Sequence, residues 1–131
     1  MSKKFLKKII AQSQDDLRVI SALCSDAIIK ASELKYLKKN KVFLVPLLRQ
    51  NRENNLSKNT QSIVKFEYVE SSKSKNLTNN PNEKLLNLLA IDLFNQDKNF
   101  EIALLFSNNK VITLVSEVIE VTLEDIAEIN D

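Results

Sequence analysis

The 131-residue chain contains no glycine, no histidine and no tryptophan, and only one cysteine and two prolines. The missing histidine removes Ser-His-Asp and Cys-His nucleophile activation, histidine-bearing zinc sites and imidazole acid-base chemistry near neutral pH. The missing glycine removes the P-loop, the GxGxxG dinucleotide fingerprint and the GxSxG elbow. All three need positive φ or a backbone approach that a side chain obstructs. Cys24 has no partner for an internal disulfide. No apolar run approaches the ~20 residues of a membrane helix, so the expected compartment is the cytoplasm. The start, "MSKKFLKKIIAQSQDD", is basic, but lysines interrupt its apolar stretch and acids follow at once, so it reads as mature sequence and not as a signal peptide.

What remains is ordinary for a folded, water-soluble module: 44% hydrophobic and 27% charged residues, at a length expected for one domain spanning 1–131. Sixteen lysines, three arginines and fifteen asparagines, beside the absent glycine, point to an AT-rich coding sequence. The net charge of +2 conceals an asymmetry. Residues 1–60 hold thirteen basic and five acidic side chains, and residues 61–131 hold six and twelve. Halves of opposite sign can complement each other within one fold or across a dimer, whereas a nucleic-acid binder keeps one sign over a face.

Along the chain, "KKIIA" reads as a short strand. Ser13 caps a helix over about 14–24, with Asp15 and Asp16 in its first turn and Leu17, Ile20, Leu23, Cys24 and Ala27 near one stripe. "AIIK", "LKYL" and "VFLVPLL" read as strands, the last two forming a hairpin that turns at Asn40. Pro46 lacks a ladder donor and calls for a sheet edge or a bulge. Arg49 to Gln61, "RQNRENNLSKNTQ", reads as a long polar loop. "IVKFEYVE" alternates, with Val64, Phe66 and Tyr68 on one face. The pattern in "NPNEKLLNLLAIDLF" fits helix or strand, and strand is preferred over 86–94. "FEIALLF" and "KVITLV" pair through "SNNK", where Asn108 and Asn109 supply the positive φ that glycine would otherwise give. "TLEDIAEI", with Thr122 three residues before Asp125, predicts a short closing helix.

The expected fold is therefore α+β: a mainly antiparallel, strongly bent sheet or partly open barrel of about six to seven strands. A helix in the N-terminal half and a short C-terminal helix accompany it, in the manner of pleckstrin-homology-like folds. Site candidates are few. Cys24 falls on the core stripe and reads as structural. Glu117, Glu120, Glu124, Asp125 and Glu128 match no Ca²⁺ loop and read as a solvated helix face. "KKFLKK" reads as a solvated terminal strand. Arg49 and Arg52 stand where an apolar strand gives way to polar sequence, and such a pair could hold a phosphate or carboxylate, or form an ordinary salt bridge. No catalytic residue, metal ligand or cofactor is indicated.

The lines "DDLRVISALCSDAIIKASELKYL" (Asp15 to Leu37), "VKFEYVESSKSKNL", "LLNLLAI" and "IALLFSNNKVITLVSEVIEVTLEDI" resemble a bacterial, chiefly alphaproteobacterial, family known as domain of unknown function two-nine-four-eight, over about residues 8–126. The "DL-VISA---DA--K" spacing and the ending "E-IEV-LEDI" carry the resemblance. It implies a compact cytoplasmic domain and brings no substrate, cofactor or catalytic residue. It also implies an Asn-Arg-Phe-Asp-Trp-like stretch at Leu48 to Arg52, where only Arg49 matches and Gln50 and Arg52 replace aromatic residues. Arg49 thereby becomes a better candidate than Arg52, and an aromatic platform is disfavoured. Relatives are glycine-rich at the turn that Asn108 and Asn109 occupy here, which makes that turn structural. The leading expectation is a non-catalytic module that binds a protein partner or a second copy of itself. The alternatives are a small-anion site or enzyme near Arg49, and nucleic-acid binding through the basic N-terminal half.

Overall fold

The computed structural model describes residues 6–51, 58–77, 85–95 and 97–129. In chain order the elements are β1 (Lys8–Ala11), α1 (Gln14–Leu23), β2 (Ala27–Lys30), a 3-10 turn (Ala31–Glu33), β3 (Lys35–Leu37), β4 (Val42–Asn51), β5 (Lys58–Phe66), β6 (Val69–Lys75), β7 (Leu85–Asn95), β8 (Phe100–Phe106), β9 (Val111–Ser116) and β10 (Val121–Ile129). All pairings are antiparallel. The sheet order is β1-β10-β5-β4-β2-β7-β8-β9-β6, with β3 also on β4.

The expected six to seven strands and two helices are thus overturned. The described residues form ten strands in one open sheet, with a single α-helix, and the pleckstrin-homology-like arrangement goes with the lost closing helix. "TLEDIAEI" is the middle strand of a β1-β10-β5 triple. Val121, Leu123 and Asp125 are buried and Glu124 is exposed, a period of two that outweighs the capping pattern once partners lie on both sides. The polar run from Arg49 to Gln61 is strand at both of its ends, and residues 52–57 between them lie outside the described residues. β4 continues to Asn51 and β5 begins at Lys58, with Arg49, Gln50 and Asn51 opposite Thr60, Asn59 and Lys58.

The helix forms as read. The Asp16 backbone N–H donates to Ser13 Oγ at 3.2 Å, Asp15 and Asp16 face the positive helix end, and Leu17 and Ile20 are buried. Its role is to cover an edge. β2 pairs with β7 only at Leu85 to Leu88, and beyond that α1 packs on β7, where Ser21 Oγ accepts the Ile91 N–H at 2.9 Å. The segment "LLAIDLF" is strand, within β7.

β5 and β10 form one half of a two-stranded ribbon, ending at Phe66 opposite Val121. The same two chain segments pair again as β6 and β9, from Val69 opposite Ser116. Between the halves the ribbon bends. The Glu67 N–H donates to the Glu120 carbonyl at 3.0 Å and the Glu117 N–H to the Tyr68 carbonyl at 3.3 Å. Tyr68 takes φ 59° at this corner and is exposed, so it leaves the face it was expected to share with Val64 and Phe66. The bend lets both sheet halves and α1 contribute to one core, with Phe66, Leu123, Leu88, Leu104, Leu114 and Ile20 among its members. Each such side chain contributes about 1.5–3 kcal/mol by leaving water.

Among the described residues, six non-glycine residues carry positive φ, and they answer the missing glycine. Asn108 and Asn109, at 63° and 60°, turn β8 into β9, closed by the Phe106 N–H on the Lys110 carbonyl at 2.9 Å. In the β3–β4 turn the left-handed residue is Lys41, at 57°, and not Asn40. The Asn40 and Lys41 N–H groups bond back to Leu37 and Lys38, which delays the reversal by one residue. Pro46 lies in an interior strand, but at a seam: on the side away from β5, β4 pairs with β3 up to Leu44 and with β2 at Leu48.

Candidate functional site

On the inner face of the sheet, three neighbouring strands change from apolar to polar at the same end. β4 presents Phe43, Val45, Leu47 and then Arg49; β5 presents Phe66, Val64, Ser62 and Thr60; β10 presents Val121, Leu123 and Asp125. Arg49 donates to Asp125 through Nε at 3.1 Å and Nη2 at 2.7 Å, and both side chains are 1% exposed. Ser62 Oγ donates to the same carboxylate at 2.6 Å and the Lys7 backbone N–H at 3.0 Å. Asp125 therefore accepts four hydrogen bonds, two on each oxygen, which a carboxylate's lone pairs can just accommodate. Burial pushes its carboxyl pKa up, but the bonds from Arg49, Ser62 and Lys7 and the Arg49 charge outweigh that, leaving it below the ordinary value.

The chain folds this way locally because β10 bulges. Asp125 stands opposite Ser62 and Ala127 opposite Gln61, so Ile126 is the extra residue and turns outward. Next to the ion pair, Thr60 Oγ1 is buried without a hydrogen-bond partner among the described residues. Cys24 is fully buried, and burial pushes its thiol up to about 12, with smaller opposed effects from Arg49 and Asp125. A thiol held protonated is no nucleophile.

Of the two arginines singled out in the sequence, Arg49 sits in this buried cluster and Arg52 lies outside the described residues. The C-terminal carboxylates are dispersed by the strand, the Glu128 side chain lying outside the described residues. Glu124 points out towards Lys8, 3.9 Å away, while Asp125 points in. Glu117 and Glu120 belong to the ribbon corner, where Lys41 Nζ lies 2.8 Å from Glu70 and 3.9 Å from Glu117. A hydrogen bond shared with Glu120 raises the Glu67 pKa, and one shared with Glu70 raises that of Glu117. No group of three or more His, Cys, Asp or Glu among the described residues could hold a metal ion.

A second feature lies on the solvent face of the same strands. Leu44, Pro46 and Leu48 run along β4, flanked by Ile63 on β5, Ile28 on β2 and Leu85 on β7. Ile28 and Leu85 are 46% and 59% exposed. A groove of about 250 Å³ opens where β2 and β3 are interrupted by the 3-10 turn, lined by Ile28, Lys30, Glu33, Pro46, Leu48 and Leu85 among others. A neighbouring groove of about 390 Å³ is bordered by Ile10, Leu44, Ile63 and Ile126, with the salt-bridged pairs Lys8–Glu124 and Lys65–Glu67 at its rim. The sequence carried one signal for this face: "VFLVPLL" does not alternate, as expected of a strand covered on both sides.

Fold and site together define a mostly antiparallel sheet protein with a buried ion pair at one end of its core and an apolar band on its outer face. The chain belongs to the family described as protein of unknown function, DUF2948, whose model matches residues 7–130. No curated protein and no solved structure matches it. Among the described residues, no helix is long and apolar enough to cross a membrane.

Proposed function

We propose that the chain is a non-catalytic protein-binding module and that the outer face of β4, with its neighbours β2, β5 and β7, is the binding surface. The observation that carries this is the unbroken apolar band from Leu44 through Pro46 and Leu48 to Ile28 and Leu85, where an antiparallel sheet ordinarily presents polar side chains to water. A small-anion site at Arg49 has less support, because Asp125 already engages its Nε and Nη2.

Affinity capture with immobilised chain tests this reading. A stoichiometric protein, the chain itself included, is expected on wild type and on Phe94→Glu, which lies outside the band, and is expected to be lost from Ile28→Glu. Equal capture by Ile28→Glu would remove the face from consideration.

A further inference from the structure

We propose, building on that reading of the face, that its occupant is a second copy of the same chain. The two copies are related by a two-fold axis through the groove at Pro46, with Lys30 of each set against Glu33 of the other. Lys30 ends β2 and Glu33 ends the 3-10 turn that follows, and both are exposed and line the same apolar groove. Neither makes an ion pair among the described residues, although Lys8, Lys41 and Lys65 on the same half of the sheet each have an acidic partner.

An apolar groove bordered by one unpaired cation and one unpaired anion is self-complementary. In a two-fold interface, if residue i meets j then j meets i, so one rotation satisfies both charges at once. A partner of one sign would meet one of the two and press a like charge on the other. The apolar part is self-complementary as well. Ile28 and Leu85 project beside the groove that Pro46 and Leu48 floor, so each copy offers both the protrusion and the recess. Packing two such sheets face to face would cover β4 on both sides, as its unbroken apolar sequence demands.

Light scattering coupled to size exclusion, and sedimentation across a range of concentrations, test this on the full chain. Wild type is expected to be dimeric, and Lys30→Glu and Glu33→Lys each to weaken the dimer tenfold or more by opposing like charges twice. Both positions are exposed, and circular dichroism verifies that each variant is folded. The decisive step is to mix the two variants in equal amounts. Across the two-fold, the acid introduced at position 30 of one copy then faces the base introduced at position 33 of the other. The native Glu33 of the first copy likewise faces the native Lys30 of the second. A mixed dimer of near wild-type affinity is therefore expected, as is a dimer of the double variant with itself.

A wild type that stays monomeric would overturn the proposal, as would a dimer indifferent to both variants or folded variants that mixing does not rescue. The outcomes also separate this inference from the broader reading. A monomer that still loses a different stoichiometric partner on Ile28→Glu keeps the face and discards the second copy. A dimer unaffected by Ile28→Glu and by both charge variants discards the two together.

Discussion

Arg49 on β4 and Asp125 on β10 are 76 positions apart in sequence and are joined by two charge-assisted hydrogen bonds inside the core, across the intervening strand β5. Taking two charges out of water is costly, and here the cost is offset by bidentate geometry together with Ser62 and the Lys7 N–H. The pair therefore stabilises the fold chiefly through what its disruption would leave behind.

Asp125→Ala is expected to cost about 3–5 kcal/mol, because it strands a buried guanidinium. Arg49→Met combined with Asp125→Leu is expected to recover most of that loss. Urea unfolding of the single and double variants reads the difference. A double variant as unstable as Asp125→Ala would show that the pair itself, and not its stranding, carries the energy.

Two groups of carboxylates respond to acid with opposite signs. The lowered pKa of Asp125 contributes stability that is present above its unfolded value of about 3.9 and is lost as pH falls through the lower folded value. Glu67, raised, contributes stability that is present below about 4.3 and is lost as pH rises through its folded value, whereas the hydrogen bond that raises Glu117 lowers Glu70, so that pair's two contributions oppose each other. Glu67→Gln keeps a neutral partner for Glu120 at every pH. Relative to wild type it is expected to be more stable at pH 7 than at pH 4, as denaturant midpoints at the two pH values would show.

The Cys24 thiol, with a pKa of about 12, holds a thiolate fraction on the order of 10⁻⁴ at pH 8 and lies wholly out of solvent. Labelling by a chromogenic disulfide reagent is expected to proceed only through unfolding, and to accelerate with denaturant in step with the unfolded fraction. Fast labelling of the native protein would contradict the burial.

Tyr68 holds φ 59° and is 46% exposed, a conformation that costs a side-chain-bearing residue about 1–2 kcal/mol. Tyr68→Gly relieves this but loosens the unfolded chain, so a net gain of about 0.5–1 kcal/mol is expected. A lower melting temperature for the variant would mean that the exposed ring makes a stabilising contact.

The helix, the strands β1 to β3, and the β8–β9 hairpin with its Asn108–Asn109 turn were legible in the sequence because their signals are local: a cap, an alternation, a turn dipeptide. The error at "TLEDIAEI" has a physical reason. Thr122 and Asp125 satisfy a helix-start pattern, and only β1 and β5, both remote in sequence, make the segment a strand. Arg49 stands out by scarcity, yet Asp125 carries no mark of burial, because a buried aspartate in a strand differs from an exposed one only through its tertiary neighbours. Ser62 gave no signal at all. The outer face could have been suspected from the unbroken "VFLVPLL", where the seam at Pro46 leaves an interior strand with a place for a residue that lacks an N–H.

The bent ribbon also determines how the molecule can be assembled. Phe66 meets Val121 and Val69 meets Ser116, so each half of the ribbon waits for chain that is made long after its partner. Contacts of such sequence separation close large loops before they yield any gain, which places folding among the slow, topology-limited cases. A cut between β6 and β7 would leave both fragments with unpaired strands. Refolding is accordingly expected as one late, concerted event, with the amides of β5 and β10 gaining protection together with those of β6 and β9.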